Sequence, residues 1–154
     1  MQVAPANVTR HEIQLLMARS KFVRNWTGLS PRSNHAGHLI GSAQLSDESG
    51  TFLNGITLDI EIKAPVVTAE CLFQFTLRQR IGKMRCRLYQ LEVCPGQKRS
   101  HNGNPILYGP HEHYGDIEAY AVSDSGVNCS DWDASLRWFL SRINVEYFEI
   151  VKPC

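Results

Sequence analysis

The sequence has no long apolar run. Its apolar stretches, such as Ala64 to Val67, are short, and that one contains a proline. A helix needs about 20 consecutive apolar residues to cross a bilayer, so no membrane-spanning helix and no membrane partner are expected. Met1 to Val8 lack a basic start followed by an apolar stretch, and they do not read as a signal peptide. Gly-x-x-x-x-Gly-Lys, Gly-x-Gly-x-x-Gly, Gly-x-Ser-x-Gly and His-Glu-x-x-His are all missing. That sets aside the usual P-loop, dinucleotide, serine-hydrolase and metalloprotease signatures. No Cys-x-x-Cys occurs either, and the five cysteines (Cys71, Cys86, Cys94, Cys129 and Cys154) are odd in number. Both facts argue against a secreted disulfide framework and against a zinc ribbon. Cys71 and Cys86 lie in strand-like stretches, where a reduced cysteine behaves as a small buried hydrophobe. A cytoplasmic protein is the expectation. Three Asn-x-Ser/Thr triplets, at Asn7, Asn25 and Asn128, carry no weight without a secretory signal.

What is present fits one globular domain over 1–154, with 43% hydrophobic and 20% charged residues. There is no internal repeat, low-complexity stretch or composition break. The net charge of +1 hides a segregation. Arg78 to Arg99 holds seven basic residues against Glu92 alone, and Glu112 to Glu149 holds eight acids against Arg137 and Arg142. Such polarity bears on partners rather than on fold.

Thr9 and Glu12 form a capping box, and Ile13, Leu16, Met17 and Ser20 follow at helical spacing, which predicts a helix over 10–24. Gly28 to Gly37 read as loop. Leu39–Leu45 and Phe52–Ile62 read as strands joined at Asp47–Gly50. In the second, Ile56, Leu58, Ile60 and Ile62 alternate with Thr57, Asp59, Glu61 and Lys63, so one face is wet. Val67–Gln79 and Met84–Val93 read as a hairpin turning at Arg80–Lys83. After a loop over Gln97–Pro105, Ile106–Val122 supplies one or two further strands. Ser130 and Asp133 make a second capping box, with Trp132, Leu136, Phe139, Leu140 and Ile143 on one helical face. Phe148–Val151 is expected to return as an edge strand. The order gives an α+β fold: a mainly antiparallel sheet with an N-terminal and a C-terminal helix packed on one face.

Two features bear on chemistry. In Pro110-His111-Glu112-His113-Tyr114-Gly115-Asp116, an extended backbone sends both imidazoles to one face and Glu112 to the other. The pair suits two ligands of one metal, or acid and base across a phosphodiester, with Asp116, or Glu118 further along, orienting a ring or acting as a third ligand. The plain alternative is a pair of histidines that hydrogen-bond their neighbours. Three firm metal ligands cannot be named, so no metal and no cofactor is expected. The second feature is the basic hairpin: Arg78, Arg80, Lys83, Arg85 and Arg87, with Tyr89 offering a ring for stacking. Its alternatives are a sheet edge charged against aggregation, or charges that complement the acidic half of the same fold or of a dimer partner.

The segment Met84-Arg85-Cys86-Arg87-Leu88-Tyr89-Gln90-Leu91, then Pro110 to Asp116, a helix and Ile143-Asn144-Val145 resembles a family of short, mostly uncharacterised prokaryotic proteins carried on phages and other mobile elements. It is similar, more distantly, to small toxins of toxin–antitoxin pairs with a late His-x-His. The resemblance covers residues 70 to 146 and implies a genomic setting more than a reaction. The reading that follows is a mobile-element protein that binds or acts on nucleic acid or a nucleoprotein complex. As an enzyme it would be a ribonuclease-type toxin using His111 and His113, with Arg85 and Arg87 on the phosphate. The rival readings are a non-catalytic phage inhibitor of a host defence complex of the CRISPR type, acting by protein–protein contact, and an antitoxin-like or homodimeric binding module with a cognate protein partner.

Overall fold

Period-two alternation runs through the middle of the chain, and the computed structural model turns it into an antiparallel sheet. Residues 8–63, 71–101, 106–116 and 118–152 are described. The elements are α1 (Arg10–Ala18), β1 (Phe22–Arg24), β2 (Ser30–Pro31), β3 (His38–Ser46), β4 (Phe52–Lys63), β5 (Leu72–Ile81), β6 (Met84–Val93), β7 (Arg99–His101), β8 (Leu107–Tyr108), β9 (His111–Tyr114), β10 (Glu118–Ala121) and α2 (Trp132–Arg142). The main sheet runs β1-β3-β4-β5-β6-β9-β10, with β2 beside β1 on the outer edge of β3. Every ladder in it is antiparallel. Strands β7 and β8 form a separate two-stranded arm. The expected α+β architecture is present, and no helix among the described residues is long and apolar enough to cross a membrane.

One face of the sheet is the core. The pairs Ile62–Phe73, Ile60–Phe75 and Leu58–Leu77 lie across β4 and β5, and Phe75–Leu91 and Leu77–Tyr89 continue them across β6. All of these side chains are essentially inaccessible. Helix α2 lays Trp132, Leu136, Phe139 and Leu140 on this face. Phe139 stacks at 5.3 Å on Phe75 and 6.0 Å on Tyr89, and Trp132 meets Phe73 edge-on at 5.1 Å. Full burial of one such side chain stabilises by about 1.5–3 kcal/mol. Helix α1 adds Ile13 and Met17 to the same cluster. Its Arg10 guanidinium lies 3.5 Å over the Tyr114 ring.

Several boundaries differ from expectation. Helix α1 stops at Ala18 rather than 24. The Lys21 N–H bonds the Asn144 carbonyl, and the Glu146 N–H bonds the Lys21 carbonyl, so the chain is drawn out into a parallel bridge and then β1. Tertiary backbone pairing there overrides helical spacing. At the other helix the cap is Asp131, whose carboxylate accepts from Ala134 N at 3.0 Å, and not Ser130. The Thr9 cap holds, accepting from Glu12 N at 3.1 Å. Phe148–Val151 is not a strand; the Trp132 indole donates to the Ile150 carbonyl at 2.6 Å, which pins that segment to α2. The expected start of the hairpin at Val67 lies outside the described residues. Cys71 is buried, as expected, but it is not a free thiol: it is bonded to Cys129. Cys86 and Cys94 are free and buried.

Candidate functional site

The other face of the sheet is polar, and a single bulge decides what stands on it. In a regular β6 strand, Arg85 and Arg87 share parity with Tyr89 and Leu91, which face the core. Leu77 pairs with Tyr89 but Arg78 pairs with Arg87, so Leu88 is an inserted residue. One extra residue swaps faces for everything beyond it. Arg85, Arg87, Gln90 and Glu92 therefore all stand on the polar face. Across the sheet they join Asp59 and Glu61 of β4, Gln74, Thr76 and Arg78 of β5, and His111 and His113 of β9.

The expected histidine geometry is present. His111 and His113 project from the same side of β9, opposite Glu92 and Gln90, with ring centroids 4.7 Å apart. Glu112 points to the other face, where Arg142 reaches it at 2.9 Å and also donates to the Tyr114 hydroxyl. Neither ring is open to solvent: His111 is 0% and His113 7% exposed. The β7–β8 arm brings the His101 ring to 6.1 Å from His111 and 5.6 Å from His113. His111 Nδ1 lies 3.2 Å from the Gly109 carbonyl oxygen, and its Nε2 lies 2.9 Å from Glu92 Oε2. Gln74 donates to the second Glu92 oxygen at 2.5 Å. Burial, helped by Arg87 and His111, pushes the His113 imidazole down to about 4, so it is neutral near pH 7.

The carboxylate beside the histidines is therefore Glu92 and not Asp116. Asp116 is largely exposed and faces Arg87 at 3.6 Å. Glu118 pairs with Arg10 at 2.5 Å, away from both rings. In the sequence Glu92 stood out only as the lone acid of the basic run. The signal that finds it is the register of β6 against β9, which no local pattern carries.

The five basic residues do not form one stripe. Arg78 and Arg85 converge on the same oxygen of Asp59, at 2.8 and 2.7 Å. Both line a groove of about 700 Å3 on the polar face, together with Arg32, Glu61, Gln74 and Thr76. Arg32 is held there by Glu61 at 2.6 Å. Arg87 turns away, donating from Nε to the Gly115 carbonyl and from Nη1 to Gln90, both at 3.0 Å. Arg80 and Lys83, exposed at the hairpin tip, line a second groove of about 530 Å3 with Arg85 and Phe52. Among the described residues lining it, none is acidic. Tyr89, the ring expected to stack on a base, is wholly buried in the core instead, because Leu88 shifts the face and α2 covers it. The exposed ring near the cations is Phe52, 50% exposed, which the sequence reading did not single out.

No family model, curated protein or solved structure matches this chain.

Proposed function

We propose that this protein binds a single strand of nucleic acid along the two joined grooves of its polar sheet face, in the setting of a phage or other mobile element. The observation that carries the reading is the second groove. Arg80, Lys83 and Arg85 line the same groove as the exposed ring of Phe52, with no acid among the described lining residues. Strand binding without strong sequence preference uses this pairing: cations track the phosphates while a ring offers a stacking face to any base. Arg85 belongs to both grooves, so a strand that enters over Phe52 is led toward Arg78, Thr76 and Gln74. The two grooves together hold five cations, Arg32, Arg78, Arg80, Lys83 and Arg85, against the carboxylates Asp59 and Glu61.

Binding rather than cleavage is the activity proposed. The buried rings of His111 and His113 leave no room for a polymer between them, and their carboxylate partner is Glu92. Photocrosslinking a single-stranded oligonucleotide to the purified protein, followed by peptide mass mapping, tests the site. Crosslinks are expected on peptides that hold Phe52 and Lys83. Crosslinks confined to other surfaces, or none at low ionic strength, would overturn it.

A further inference from the structure

We propose that Glu92, His111 and His113 form a binding site for a divalent transition-metal ion, zinc(II) being the ion that two imidazoles and one carboxylate suit best. The site is independent of the nucleic-acid reading, and three observations carry it. One donor atom from each residue lies within 4.8 Å of the other two. A small adjustment of side-chain rotamers draws such a set to the bonding distances of about 2.0–2.2 Å that zinc takes with nitrogen and oxygen.

The second observation is an orphaned atom. His111 is fully buried, and its Nε2 has no hydrogen-bond partner. Glu92 Oε2 is only 2.9 Å away, close but out of line for a hydrogen bond. A buried polar atom left in this state is costly unless something else satisfies it.

The third observation fixes what that atom offers. His111 Nδ1 faces the Gly109 carbonyl oxygen at 3.2 Å, and a carbonyl only accepts. Nδ1 is therefore held as the donor, which leaves Nε2 as the ring atom that can turn to a metal, the arrangement by which metal-bound histidines are oriented. Gln74, donating at 2.5 Å to the other Glu92 oxygen, holds the carboxylate in the same way. Lone pairs and a carboxylate that converge in a buried site call for a cation. A direct His111–Glu92 hydrogen bond is the competing account, and it requires Nε2–H to point along the 2.9 Å contact, a geometry the pair does not meet. The His101 ring on the covering arm borders the cluster, at 5.6 Å from His113 and 6.1 Å from His111.

The test uses the full-length, untagged protein stripped with a chelator and dialysed against zinc(II) or cobalt(II). One zinc per chain, a raised melting temperature, and a visible cobalt(II) absorption that zinc displaces are expected. Glu92→Gln and His113→Gln should each weaken zinc binding by roughly tenfold or more, whereas His35→Ala should leave it unchanged. The cobalt spectrum of the wild type stands alone if a variant fails to fold. No retained zinc and no cobalt absorption overturn the site, and so does zinc binding that both folded variants keep in full.

Discussion

Lys21 Nζ lies 2.6 Å from the carbonyl oxygen of Ile143, and this contact ties together the C-terminal ends of the two helices. The same amino group lies 3.1 Å from Met17 O and 2.7 Å from Arg19 O, with only 1% of the residue exposed. Ile143 caps α2, and Met17 lies in the last turn of α1. The free carbonyls at the end of each helix thus meet one buried lysine. Lys21→Met keeps the aliphatic stem but leaves three carbonyls without this donor. A loss of about 2–4 kcal/mol is expected in urea unfolding. A loss within about 0.5 kcal/mol would mean that the contact is incidental.

The same lysine gives a pH signature. Burial, with Arg19 adding repulsion, pushes it down to about 7 from the ordinary 10.5. Between those values the unfolded chain holds a proton that the native protein has released. The lysine's contribution to stability is therefore smallest below pH 7, rises through the window, and is full above 10.5. Unfolding free energies of wild type and Lys21→Met, measured from pH 7 to 10.5, should diverge in favour of wild type. A constant difference would show that the lysine keeps its charge.

Gly41 is held to glycine by its neighbours. A Cβ there would lie 2.5 Å from the Trp26 ring and 2.6 Å from the Gly28 carbonyl oxygen, and Gly41 lines the larger groove. Gly41→Ala should cost about 1–3 kcal/mol through overpacking. A melting temperature equal to wild type would mean that Trp26 and the loop below it yield freely.

The Cys71–Cys129 bond closes a separation of 58 residues and joins the start of β5 to the segment leading into α2. Cys129→Ser should cost about 2–4 kcal/mol, and reductant should reproduce that loss in wild type. Equal stability with and without reductant would show that the bond contributes nothing.

The fold was legible where one local signal sufficed. Ile56 to Ile62 announced a half-buried strand, Thr9 capped its helix, and the apolar stripe of α2 packed as expected. Information from distant chain was not legible. The end of α1 is decided by Asn144 and Glu146, more than a hundred residues away. The Leu88 bulge is a mismatch between two strands, invisible in either alone, and it both moves Arg85 and Arg87 to the polar face and leaves Tyr89 in the core. His-x-His correctly implied two rings on one side, but Glu92 joins them only through the β6–β9 register. Phe52 was missed because an exposed ring at a strand start reads as an ordinary strand former.

The most direct measurement of the central claim is the affinity for a fluorescent single-stranded oligonucleotide, followed by anisotropy across a salt series. Wild type should bind at low salt and weaken steadily as counterions compete. Lys83→Ala with Arg85→Ala should flatten the dependence of log K on log salt by about 0.7 per cation removed. Phe52→Ala should lose about 1–3 kcal/mol at every salt concentration, leaving the slope unchanged, because stacking releases no counterion. No binding at low ionic strength, or variants that coincide with wild type, would contradict a nucleic-acid strand lying over Phe52 and Arg85.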